Sequence, residues 1–363
     1  MSLKSGVYLK SGGDLQFTID ATTLEFGFQG AKQPLRPVLP DAGGAAAAAP
    51  LPGAFCIDWR YGQKQLFQLQ QDGISLHEVK SNGSFHVFRL QGVPTTAQLC
   101  HLRDVGSLQL HGAVSPALVD AAKQSAPIVA ALGKAAQMPH VGQAWLTESS
   151  KHASLLALAE PGWPAVCAIL GCPDLPLPSS CQIAIKVGTA PGSAAAAQAP
   201  GALPPDSHID GLYAPDNGVP INTIHNFSLL LGVSLTDMPN PNMGNLGVFP
   251  GSHLALGRAV GQVGLVQAVG ILSQGATSAT QNVEQLVGGF HTLAPPQPLC
   301  GMQGMACLLH YQSIHFVQPN TGAEDRVMVY FRVTHPRRQP HSFCPEALEN
   351  IFVEMPGLSG LPK

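Results

Sequence analysis

Four side chains have types and spacings that suit metal chemistry with an organic acid: His208, Asp210, a histidine from the segment 310–315, and Arg326. His208-Ile209-Asp210 is the single His-x-Asp or His-x-Glu triplet in the chain. With 14 histidines and 22 acids, chance alone yields about one such triplet, so the triplet by itself proves nothing. Its chemistry is still suggestive. Residues i and i+2 of a strand project to one face, where an imidazole and a carboxylate can grip one ion together. A second imidazole completes the facial set that holds non-haem iron(II) and leaves three coordination positions open. A 2-oxo acid can chelate through two of these, leaving the last for dioxygen. Arg326 then suits the far carboxylate, which a guanidinium holds by two parallel hydrogen bonds.

The stretch 304–333 must position the second imidazole and the guanidinium. It reads as strand, turn and strand: apolar up to His310 and His315, a turn at Pro319-Asn320-Thr321-Gly322, then alternating Val327, Val329 and Phe331. An apolar run is expected to be buried, so ionisable residues set into it need a reason, and a shared cavity supplies one. His310 and His315 are five apart, hence on opposite faces of one strand, and only one of them can point inward. Arg332 alternates in phase with Arg326, which makes it a second candidate for the oxo acid or a cap on the barrel end. Zinc could use the same three ligands for hydrolysis, but the sequence places no general base beyond them and Arg326 would be idle. His225, His253 and His291 read as structural or loop residues, and Met243, Met302 and Met305 as core filler.

Around these residues the pattern is mainly β. In 1–93, five segments alternate with period two (15–19, 24–28, 65–69, 74–79 and 85–90), with turn chemistry at Asp72-Gly73 and Asn82-Gly83. A Pro- and Ala-rich loop, 32–52, interrupts them. His77 and His86 flank the Asn82-Gly83 turn and read as residues of a solvated face. From Thr95 helices enter: 97–103, then 117–124 behind the Ser115-Pro116 cap, then 149–158 and 163–170. Strands are expected at 107–110, 182–187, 227–235, 246–249 and 288–293, and a turn at 250–253. Residues 188–207 are low in complexity and read as an excursion beside the site. About eight strands are enough for a jelly-roll barrel behind a helical layer.

Several segments, in order, resemble the phytanoyl-CoA dioxygenase family of iron(II)/2-oxoglutarate oxygenases. The segments 102–116 and 182–186, His208-Ile-Asp210, the pair 230–237 and 247–253 ending in Pro-Gly-Ser-His, and His310, His315, Asn320 and Arg326 carry the likeness. It spans roughly 100–335, and none of it covers the first ninety or so residues. The resemblance implies His208, Asp210 and His315 as catalytic iron ligands and Arg326 as anchor of the 2-oxoglutarate C5 carboxylate. Lys186 is implied as a further contact to co-substrate or substrate, and Asn320 as a residue that shapes the turn or supports the site. With Asp210 present, where halogenating relatives have a small residue, hydroxylation is the implied chemistry.

The expected architecture is therefore mainly β with flanking helices: a double-stranded β-helix (jelly-roll, cupin-like) core at 94–340, a small all-β module at 1–93 and a tail at 341–363. The expected function is a non-haem Fe(II)/2-oxoglutarate-dependent dioxygenase that hydroxylates a small organic substrate and releases succinate and CO2. Iron(II) is the cofactor, 2-oxoglutarate and O2 are co-substrates, and ascorbate is an optional reductant. A catalytically inactive jelly-roll scaffold, with the N-terminal module recognising a protein partner, is the alternative. An unliganded buried His/Asp/Arg cluster argues against it, because its desolvation cost has no offset. A hydrophobic fraction of 45%, a charged fraction of 11% and a net charge of -3 describe a globular chain with no basic surface for nucleic acid. No signal peptide or membrane span is expected, and eight scattered cysteines without a Cys-x-x-Cys pair read as free thiols of a cytoplasmic protein.

Overall fold

Period-two alternation at the N-terminus becomes antiparallel pairing. The computed structural model describes the strands within 1–93 and residues 94–190, 204, 206–213, 219–275, 277–338 and 343–362. Contacts divide the chain into two compact units, Met1–Thr95 and Thr96–Lys363. The first holds β1 (Gly6–Lys10), β2 (Gln16–Asp20), β3 (Glu25–Phe28), β4 (Ala31–Pro34), β5 (Arg36–Pro37), β6 (Ala54–Asp58), β7 (Lys64–Leu69), β8 (Ser75–Val79) and β9 (Phe85–Leu90). They form one sheet in the order β4-β3-β2-β1-β9-β8-β7-β6-β5, so the last strand returns to pair with the first. β4 and β5 fall where the sequence reads as loop. His77 stands opposite Val87 and His86 opposite Glu78, so the two histidines are in opposite phase. The Asp72-Gly73 and Asn82-Gly83 turns, most of the Ala/Pro loop and most of 188–207 lie outside the described residues.

The second unit is a jelly roll. Its strands are β10 (Ser107–Leu110), β11 (Trp145–Ser150), β12 (Cys181–Lys186), β13 (Leu229–Ser234), β14 (Leu246–Val248), β15 (Gln297–Pro298), β16 (Ala306–His310), β17 (His315–Val317) and β18 (Arg326–Val333). One sheet runs β10-β16-β13-β18-β12-β11 and the other β15-β14-β17, which His208 extends through an antiparallel bridge to His315. From β12 through the His208 bridge to β18 the chain passes back and forth between the two sheets, except at the step from β14 to β15, which pair with each other in the smaller one.

β13 up to Ser234, and β18 between Arg326 and Arg332, are apolar because both their faces are covered. Leu229, Leu231, Val233, Val327, Val329 and Phe331 face a layer of helices, α1 (Thr96–Val105), α2 (Pro116–Lys123), α3 (Ala126–Ala135), α4 (Ala153–Leu156) and α5 (Trp163–Leu170). Leu230, Met328 and Tyr330 face the space between the sheets. Arg326 shares their phase. Helix α2 starts where its cap predicts, with Ser115 Oγ accepting from Leu118 N and Pro116 in the first turn.

Several expectations need correction. Residues 149–150 belong to β11, whose six residues pair with β12, and the helix starts only at Ala153; the partner strand overrides local propensity. Residues 288–293 are no strand. Gly288 and Gly289 take φ of 75° and 98°, ending a helix and turning the chain into a 3-10 turn, and β15 fills that place in the sheet instead. The turn at 250–253 ends at Gly251, and Ser252 and His253 already open helix α6 (Ser252–Val263). Two more helices, α7 (Leu265–Leu272) and α8 (Ala279–Val287), fill the span before β15. Met302 is 55% exposed and so is not core filler. The continuous helical run Ala153–Leu170 is long and apolar enough to pass for a membrane span by length and composition, against expectation, yet half of it is buried in this unit. After β18, α9 (Glu346–Glu349) and α10 (Pro356–Ser359) put Leu348, Met355 and Leu358 into the core.

Candidate metal centre

His310 and His315 do not share a strand, as the sequence suggested. β16 ends at His310 in the larger sheet, residues 311–314 cross over, and β17 starts at His315 in the smaller one. The crossover separates the two imidazoles. His310 packs against His253, ring centroids 4.9 Å apart, and its Nε2–H donates to Ile351 O at 2.9 Å while Nδ1 accepts from Gln312 N. Its neighbour His253 donates from Nε2 to Arg103 O at 2.8 Å. His310 spends both nitrogens and His253 its Nε2 on main-chain groups, with His253 Nδ1 buried and unpaired, and burial pushes both rings down, His253 to about 4 and His310 to about 3.

His315 turns the other way. Its backbone and that of His208 exchange two hydrogen bonds, each 2.9 Å, which set the two rings 4.8 Å apart. Asp210 completes the group, but not from a strand. His208 sits in an isolated bridge, and Asp210 already belongs to a turn that Gly211 makes possible. Gly211 has φ of 80°, and a Cβ there would lie 2.2 Å from His225 O. The turn brings Asp210 Oδ1 to 3.9 Å from His208 Nε2 and 4.0 Å from His315 Nε2. The three ligand atoms lie within 4.8 Å of one another, and this is the metal-capable group among the described residues.

The donors are prepared for an ion. His208 Nδ1 lies 2.6 Å from Asp206 O and His315 Nδ1 lies 2.9 Å from Ser313 O. A carbonyl can only accept, so each Nδ1 carries a proton and Nε2 is the nitrogen left to face a metal. Burial, with His208 alongside, pushes His315 down to about 4, so this ring is neutral at physiological pH. Burial works to raise the Asp210 carboxyl, but Arg332 and the two imidazoles outweigh it and hold the group below its ordinary range. Two imidazole nitrogens and one carboxylate suit iron(II).

The even positions of β18 line the approach. Arg326 is buried, with Nε donating to Gly244 O at 2.6 Å and Nη1 to Ala184 O at 3.3 Å. Its Nη2 is buried without a hydrogen bond of normal geometry, and so is the hydroxyl of Tyr330 four residues on, although the Arg326 side chain is near enough to act on that hydroxyl. Burial pushes the Tyr330 phenol up to about 12, against the pull of Arg326. Lys186, the cross-strand partner of Arg326 on β12, is buried too and donates to Gln143 O at 2.8 Å. Burial and Arg326 lower its pKa against Asp206. Among the described residues neither cation has a carboxylate within ion-pair distance. Buried N–H and O–H groups left unpaired cost about 1–3 kcal/mol each, so Nη2 and the phenol hydroxyl define a place for an acceptor, and two cations define its charge.

Asn320 has a different task. It is buried in the turn between β17 and β18, donating from Nδ2 to Lys186 O and Glu324 O and accepting from Gly322 N. Arg332, the other arginine in phase, leaves the strand beside Asp210. Tyr330 and Tyr311, whose hydroxyl is also buried without a partner, escaped the sequence reading. The available signal for Tyr330 was its phase, four residues past Arg326 on the inward face.

No family model matches the chain, and no curated protein matches it. Among solved structures, it is similar to the non-heme alpha ketoglutarate dependent carbocyclase SnoK from nogalamycin biosynthesis, at 15% identity over 69% of this chain and 93% of that one, with a TM-score of 0.43. It is also similar to HygX from Streptomyces hygroscopicus with nickel and 2-oxoglutarate bound, at 17% identity over 66% and 86% of the two chains, with a TM-score of 0.37. A third is EctD from S. alaskensis with 2-oxoglutarate and 5-hydroxyectoine, at 15% identity over 65% and 74%, with a TM-score of 0.39.

Proposed function

We propose that the chain is an iron(II)/2-oxoglutarate-dependent oxygenase that hydroxylates a small organic molecule. The observation that carries this reading is the convergence of His208, Asp210 and His315, with Arg326 in the inward phase of β18 and its Nη2 buried without a hydrogen bond. His208, Asp210 and His315 hold the metal. Iron(II) bound there supplies the redox centre at which dioxygen and 2-oxoglutarate convert a substrate C–H bond to C–OH, with succinate and CO2 as the other products. The protein's own part is placement. Backbone bonds between His208 and His315 fix two ligands relative to each other, and carbonyls fix their tautomers. Arg326 takes the C5 carboxylate of the oxo acid, Tyr330 offers it a hydroxyl, and Lys186 adds a second positive charge. Asn320 keeps the turn that sets β18 in register. A zinc hydrolase would leave this cationic end of the cavity without work.

The test is an anaerobic titration with iron(II) and 2-oxoglutarate, read by a weak visible metal-to-ligand charge-transfer band. The wild-type chain is expected to give the band, and His208→Ala and Asp210→Ala to abolish it. Arg326→Ala should weaken 2-oxoglutarate binding while sparing the metal, because it removes a paired carboxylate contact. A chain that takes up iron but shows no band with the oxo acid would sink the reading. Substrate-stimulated succinate formation in a small-metabolite screen then names the substrate.

A further inference from the structure

Arg326 and Arg332 leave β18 on one face, six residues apart, yet their surroundings differ. Arg326 is buried, whereas the Arg332 side chain is 44% exposed beside the metal donors. Arg332 Nη2 lies 3.2 Å from Oδ2 of Asp210. The oxygen that approaches the two imidazoles is the other one, Oδ1. The carboxylate is thus divided between two tasks, one oxygen turned to the metal donors and one to a guanidinium. Arg332 is itself held in place, with its guanidinium carbon 5.8 Å over the ring of Phe227. Phe227 in turn packs edge-on against buried Tyr311, ring centroids 5.2 Å apart. A short aspartate on a turn can rotate its carboxylate freely unless something takes one oxygen, and here a cation braced on an aromatic pair does so.

We propose that Arg332 is a positioning residue of the metal centre, holding Asp210 so that it gives a single oxygen to the ion. The inference rests on the metal-centre reading above and assigns a role that the phase of β18 alone did not decide. Arg332 is not the anchor of the oxo acid: its guanidinium pairs with Asp210 and is partly exposed, while the buried unpaired N–H belongs to Arg326. Keeping Oδ2 off the ion preserves the open positions on which chelation of a 2-oxo acid depends. The two arginines of β18 then divide the work, one setting metal affinity and the other co-substrate affinity.

The experiment measures manganese(II) binding to the full chain by electron paramagnetic resonance, without oxo acid, for wild type, Arg332→Gln, Arg332→Lys and Arg326→Ala. Loss of a group that orients a metal ligand costs about 10- to 100-fold in metal affinity, and that is the expected weakening in Arg332→Gln. Arg332→Lys should recover part of it, and Arg326→Ala should leave it unchanged. At saturating metal, 2-oxoglutarate affinity should stay within about twofold of wild type in Arg332→Gln and fall in Arg326→Ala. The metal-dependent rise in melting temperature, measured on the same variants, shows that Arg332→Gln is folded and still short of metal stabilisation. Unchanged manganese affinity in Arg332→Gln, or a loss confined to 2-oxoglutarate, overturns the role of Arg332 alone. A wild-type chain that takes up no manganese overturns the metal centre and this inference together.

Discussion

Asp210 shows how much one side chain can depend on a residue far along the chain. Its carboxylate meets Arg332, 122 positions away, and no period or motif announces that pair. What the sequence did disclose was type: an acid two residues from an imidazole, and a guanidinium in the inward phase of an apolar strand. The mechanism behind the first was misjudged, since a turn and not a strand brings Asp210 beside His208. Tyr330 provides a test at this scale. Tyr330→Phe removes one donor whose net worth is about 1 kcal/mol, so 2-oxoglutarate affinity should fall about fivefold with metal affinity unchanged. The charge-transfer titration reads both, and a substitution without effect would mean that the hydroxyl faces no acceptor in the bound state.

Elements decide whether these side chains meet. The long strands were legible, β13 because burial on both faces leaves a nearly continuous apolar run and β18 because Val327, Val329 and Phe331 alternate. β11 was not, because Trp145 is exposed and its strand character comes from pairing with β12. The crossover at 311–314 was invisible as well, since a run that changes sheets looks the same as one that stays. Two glycines set the clearances. A Cβ on Gly232 would lie 2.7 Å from the Tyr330 ring and 2.8 Å from Cys307 Sγ. Gly232→Ala is therefore expected to cost about 1–3 kcal/mol and to weaken 2-oxoglutarate binding by displacing Tyr330, measured by denaturant midpoint and titration. Gly211→Ala meets His225 O at 2.2 Å in a left-handed conformation. It should abolish metal binding while the far-ultraviolet spectrum stays near wild type, because the strain falls on the turn that carries Asp210.

At the scale of the molecule, helix α9 and the segment after it tie the last residues to the crossover between sheets. Gln312 Nε2 donates to Leu348 O at 2.8 Å and His310 to Ile351 O at 2.9 Å, while Arg338 pairs with Glu354. Removing residues 343–363 is expected to unfold the second unit, whereas a chain that starts at 94 should still bind iron and 2-oxoglutarate. His253 and His310 give the fold a pH dependence. Unfolded, both titrate near 6.5; folded, they resist protonation until about 4 and about 3. The unfolded chain then binds more protons below pH 6.5, so their stabilisation is full above that pH and is lost as pH falls toward the folded values. The slope reaches about 1.4 kcal/mol per pH unit for each ring, and urea midpoints from pH 8 to 4 should show the decline. A flat profile would mean that the rings are hydrated. Finally, the reciprocal amide bonds between His208 and His315 join ligand to ligand, so the two segments cannot part there without separating the imidazoles that would share an ion. A bound metal must therefore slow deuterium uptake at these two amides more than elsewhere in the sheet. Their exchange rate becomes an intrinsic gauge of occupancy that needs neither substrate nor turnover.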